Sequence, residues 1–89
     1  MRAEDVFVLS KSLLDEKEKL YGEGSWRELG LNGCLEAAVR KAIYLRAQKA
    51  KGLVDTPKFR EDLLDMIIWA AFTYCLSVEG TDGPSTNRG

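Results

Sequence analysis

The chain has 89 residues, a net charge of −1 and no histidine. The length fits one small domain that buries about two-thirds of its unfolded surface. Without histidine, neither Ser-His-Asp nor Cys-His catalysis is open, nor is a histidine-containing zinc site. Two cysteines are too few for a Cys₄ centre, so any metal must be held by carboxylates. Cys34 and Cys75 fall in apolar-periodic segments and read as reduced core residues of a cytoplasmic protein.

Three helices are expected, with no competing strand. The first runs over Ala3–Leu20, with Val6, Leu9, Leu13 and Leu20 as its apolar stripe, broadened by Val8 and Leu14. Gly22 ends it. The glycine-containing loop that follows, 22–30, holds Trp26, which either plugs the core or lines a ligand pocket. Ser25 and Glu28 have the spacing of a capping box, so one helical turn begins there. The second helix is expected from Asn32 to Lys51, with Leu35, Ala38, Ala42 and Leu45 as its core face. Thr56 caps the third helix, Pro57 takes its first position and Gly80 stops it. Residues 1–80 form one domain, and 81–89 read as a disordered tail.

Charge is unevenly placed. Residues 1–39 carry a net −3 (5 basic, 8 acidic), 40–60 a net +6 (7 basic, 1 acidic) and 61–89 a net −4 (1 basic, 5 acidic). This alternation suits a phosphate-bearing ligand better than duplex nucleic acid, which prefers one broad positive face. Internal ion pairing between helices is the ordinary alternative. Met66 to Val78 is an uncharged, largely apolar run, too short for a bilayer. It is apolar all round, so a second copy of the chain is expected to cover it, giving a dimer or tetramer through the third helix.

Within that helix, Asp62 and Asp65 stand three residues apart and share a face, with Glu61 one turn before Asp65. Paired carboxylates repel unless a cation or basic group lies between them. Hard oxygen ligands of this kind suit Mg²⁺ or Mn²⁺. An acidic cluster near the helix start, complementing the dipole, is the plain alternative. Trp69 lies on the same face as Asp65, one turn later.

The order of these segments carries a resemblance. Lys17…Tyr21-Gly22…Ser25-Trp26-Arg27-Glu28-Leu29-Gly30-Leu31…Gly33, then Lys41 to Leu45, then Asp62-Leu63-Leu64-Asp65 resemble the small nucleotide-modification-associated domains of phage and mobile DNA. Those domains look like relatives of the all-α, MazG-like nucleoside triphosphate pyrophosphohydrolases. The likeness covers roughly residues 10–76. It implies an oligomeric helical bundle that holds Mg²⁺ (or Mn²⁺) on Asp62, Asp65 and Glu36. Water, activated by Glu36 or Glu61, would attack the α-phosphorus of a nucleoside triphosphate and release pyrophosphate. Lys41, Arg40, Lys17, Tyr21, Trp26 and Trp69 are the expected substrate contacts. Leu35 and Val39 stand where the family's first acidic set has glutamates, and Ile68 and Trp69 where its relatives have Asn-Tyr. The alternative reading is therefore a non-catalytic helical module that dimerises and binds a nucleotide or a protein.

Overall fold

The computed structural model describes residues 1–80, so the tail expected over 81–89 lies outside the described residues. Those residues form three α-helices and one 3₁₀ turn: α1 (Ala3–Tyr21), the turn (Ser25–Leu29), α2 (Gly30–Ala50) and α3 (Pro57–Glu79). No strand occurs among them.

Local chemistry sets the ends. The backbone N–H of Arg2 donates to Asp5 Oδ2 at 3.2 Å, and Glu4 and Asp5 place negative charge on the first turn of α1. Gly24, at φ +74, adopts the left-handed conformation that turns the chain into the 3₁₀ segment. The helical turn expected at Ser25 is present. Helix α2, however, begins at Gly30, directly after that turn, and not at Asn32. A Cβ on Gly33 would lie 2.8 Å from Leu29 Cβ, so a glycine is needed where the two segments join.

The third helix follows its sequence signals closely. The N–H of Phe59 donates to Thr56 Oγ1 at 3.0 Å, Pro57 opens the helix, and Gly80 closes it in the left-handed conformation. Replacing Thr56 with alanine should cost about 1 kcal/mol, the usual worth of such a cap. Thermal unfolding would show this as a drop of several degrees in a domain of this size.

The helices pack around Cys34, Ile68, Phe72 and Leu76, with Leu13, Leu14, Trp26, Leu31 and Trp69 against them. Helix α3 is central. Its inner face is Asp62, Asp65, Ile68, Phe72 and Leu76, at the three- and four-residue spacing of one helical stripe. Polar contacts run in opposite chain directions, Gln48 to Asp62 and Lys41 to Asp65, so α2 and α3 are antiparallel.

Two expected core faces are corrected. In α1, Leu9 and Leu20 are exposed, while Ser10 is buried and Leu13, Leu14 and Lys17 are half-buried. The Ser10 hydroxyl donates to the Val6 carbonyl at 3.1 Å, which removes the penalty of burying it. In α2, Leu35 and Ala42 are exposed. The inner face there is Cys34, Ala38, Lys41, Leu45 and Gln48. Both faces are rotated from the most apolar phase because α3 presents two buried acids, and lysine and glutamine must meet them. Cys75, expected in the core, is exposed, whereas Cys34 is fully buried, and neither forms a disulfide.

Candidate functional site

Asp62 is 1% exposed and Asp65 8%, on consecutive turns of α3. A buried carboxylate is tolerated only with partners that replace its water, and all three helices supply them. Lys41 of α2 bridges the two acids: its Nζ donates to Asp62 Oδ1 at 3.3 Å and lies 3.1 Å from Asp65 Oδ2. Lys58, one turn before Asp62, donates to Asp62 Oδ1 at 2.9 Å. Gln48 Nε2 donates to Asp62 Oδ2 at 2.9 Å. From α1, Lys17 Nζ approaches Asp65 Oδ1 at 3.7 Å. That oxygen is fully covered and accepts no hydrogen bond. Three ammonium groups thus surround two carboxylates, leaving one positive charge in excess.

Burial alone would push the Asp62 carboxyl up, but hydrogen bonds from Lys58, Gln48 and Lys41 outweigh it and hold it below the ordinary 3.8. Lys41 is opposed in the same way. Burial lowers it, yet Asp65 and Asp62 together raise it above 10.5. The linkage has opposite signs on the two flanks. Asp62 contributes stability above pH 3.8 that is lost as pH falls through its lower folded value. Lys41 contributes stability below pH 10.5 that is lost as pH rises through its higher folded value. Melting temperature should therefore be level between these limits and decline outside them. Asp62→Asn should show a smaller acid-side decline than the unaltered chain.

Beside this network lies a cleft of about 620 Å³, bordered by α1, the 3₁₀ turn, α2 and α3. Lys17, Arg40, Lys41 and Asp65 line it together with Tyr21, Tyr44, Trp26 and Trp69. Phe72 lies at the centre of the aromatic wall. The Trp26 ring stacks on it with centroids 4.2 Å apart and planes 6° from parallel. Trp69 meets it edge-on at 5.4 Å and 87°. The Arg27 guanidinium covers Trp26 at 4.6 Å and pairs with Glu79, tying the turn to the end of α3. Trp26 packs against the core and also lines the cleft.

All six residues expected to contact substrate, Lys17, Tyr21, Trp26, Arg40, Lys41 and Trp69, come to this one cleft. The acids divide. Asp65 lines the cleft. Asp62 lies buried and meets it only through Lys41, while Glu36 and Glu61 are exposed and outside its lining. Among the described residues no group of three acidic or cysteine side chains converges, so Glu36 does not join Asp62 and Asp65. Electrostatics argue the same way. Unit charges 4 Å apart at an effective dielectric constant near 20 interact by about 4 kcal/mol. A divalent cation entering here would meet an existing excess of positive charge.

Several members were not singled out from sequence. Lys58 had a readable signal, four residues before Asp62 on the same helix. Gln48 is legible only in hindsight, since Cys34, Lys41 and Gln48 recur every seven residues along the inner face of α2. Phe72 and Tyr44 carried no signal beyond being aromatic.

Compared with models of protein families, with curated proteins and with solved structures, the chain matches none. No helix among the described residues is long and apolar enough to cross a membrane.

Proposed function

We propose that the chain is a helical nucleotide-binding module, of the kind its likeness to the MazG-like domains implies, and that it binds without turning its ligand over. The observation that carries this reading is the meeting of two tryptophan rings with Lys17, Arg40 and Lys41 in a single cleft. Phe72 and Arg27 cover the two faces of Trp26, so a base would meet Trp69 and the edge of Trp26, and clustered cations suit a phosphate. A volume of about 620 Å³ lies in the range usual for small-molecule sites. Turnover needs a carboxylate placed to activate water at the phosphorus. Glu36 and Glu61, the candidates for that role, lie outside the cleft, and the Asp65 carboxylate that lines it is paired with Lys41.

The test is thermal melting in Mg²⁺ with a panel of nucleoside mono-, di- and triphosphates, with pyrophosphate assayed in the same wells. A ligand at about 100 times its dissociation constant stabilises by roughly 2.7 kcal/mol, which is several degrees here. The proposal predicts a shift without pyrophosphate. A shift with release would restore the Mg²⁺-dependent pyrophosphohydrolase expected from the resemblance. The absence of any shift would remove the nucleotide reading.

Self-association through α3 belongs to the same proposal. Tyr74 is 72% exposed and Val78 70%, on the side of the helix away from the core. Sedimentation at several concentrations would reveal a dimer, and a monomer throughout would end that part of the reading.

A further inference from the structure

We infer that the cleft binds a phosphate-bearing ligand without a divalent metal, Lys41 occupying the point between Asp62 and Asp65 that Mg²⁺ would need. The inference rests on the nucleotide reading above and narrows it.

Lys41 Nζ lies 3.3 Å from one carboxylate and 3.1 Å from the other, a bridging position between the two acids. Lys58 and Gln48 occupy Asp62 further, so Asp62 has no oxygen left without a donor. A metal between the two acids would have to displace the Lys41 ammonium from a residue that is 1% exposed. The local charge is positive, with Lys17, Lys41 and Lys58 against Asp62 and Asp65. Arg40 at the rim adds a cation and Glu18 an anion. Such a field attracts a phosphate and repels a divalent cation.

Asp65 Oδ1 is a buried acceptor beside the cleft that the network leaves without a hydrogen bond. It belongs to a residue lining the cleft and is completely covered. Lys17 stands 3.7 Å away, too far to satisfy it. A ligand group would reach this covered oxygen only if a side chain over it moved aside, while Lys17 and Arg40 line the cleft for the phosphate. This divides the roles: Lys41 neutralises the acids, and Lys17 with Arg40 hold the charge of the ligand.

The experiment is calorimetric titration of ATP into the unaltered chain, once in EDTA and once in excess Mg²⁺. A parallel titration of Mn²⁺ alone is followed by its electron paramagnetic resonance signal. The expected result is an ATP dissociation constant in EDTA within about threefold of that in Mg²⁺, with no saturable Mn²⁺ binding. Binding at least about tenfold weaker in EDTA, or saturable Mn²⁺ binding by the ligand-free chain, would overturn the inference and leave the nucleotide reading standing. No ATP binding in either buffer would overturn both. Lys41→Met, if circular dichroism shows it folded, should weaken ATP binding in EDTA and gain Mn²⁺ binding. A folded variant that does neither would also count against Lys41 as the resident cation.

Discussion

Replacing Lys41 with methionine should destabilise the fold by about 3–5 kcal/mol, the usual cost of removing one partner from a buried ion pair. Methionine keeps most of the packing volume of the lysine stem, so the loss reports on charge. It leaves Asp65 with only Lys17 at 3.7 Å and removes the one cation that bridges the two buried carboxylates. A domain of this length has a total stability of about 4–13 kcal/mol, so the variant stands near the limit of folding. Urea denaturation followed by circular dichroism measures the loss. Adding Asp65→Asn should recover part of it, because the second change removes the stranded charge, and the two effects will not add. Lys58→Ala should be far milder, since the Lys58 side chain is 65% exposed and Lys41 and Gln48 still satisfy Asp62. A Lys41 variant as stable as the unaltered chain would mean that the network is incidental to the fold.

Phe72→Ala should cost about 3–5 kcal/mol, as for other buried aromatic truncations. Phe72 is 8% exposed, and it alone joins Trp26 to Trp69. Its removal deletes a stacked pair and an edge-to-face pair, each worth about 0.5–1.5 kcal/mol beyond burial. It also takes away the wall against which both tryptophans are held. Near-ultraviolet circular dichroism should therefore lose its tryptophan bands before the far-ultraviolet helical signal is lost. Tyr74→Ala on the opposite side of α3 provides the contrast. In a monomer it should change stability by no more than about 0.5 kcal/mol. In a dimer through α3, its effect should grow with protein concentration.

What the sequence made legible was local. Helix ends written in capping chemistry, such as Thr56, Pro57 and Gly80, stand where expected, because a cap depends on only a few neighbouring residues. The shared face of Asp62 and Asp65 was legible for the same reason. The start of α2 was not, since the 3₁₀ turn runs straight into it at Gly30 and no side chain caps the junction. Helix phase failed in α1 and α2 because counting apolar residues assumes an apolar interior. Here the interior near Asp62 is polar, and Lys41 and Gln48 belong to the inner face while Leu35 does not.

The site divides along the same line. The six cleft contacts were nameable through the order of motifs, and they come together. The partners of the two acids were not, because a pairing between helices depends on register and crossing, which spacing within one helix does not reveal. The basic segment 40–60 held a clue. Two of its lysines, Lys41 and Lys58, are those that neutralise Asp62. The uneven charge along the chain is thus partly ion pairing folded inward.

The most direct test of the proposal that the cleft binds a nucleotide uses the two tryptophans the chain contains, both of which line the cleft. Their indole N–H groups give two resolved signals in a proton–nitrogen correlation spectrum of ¹⁵N-labelled protein. Titrating a nucleoside phosphate should move both along saturable curves with one common dissociation constant, while the amides of Arg2 to Val6 at the start of α1 stay in place. Indole signals that do not move at saturating nucleotide, or that move no more than those amides, would contradict the account.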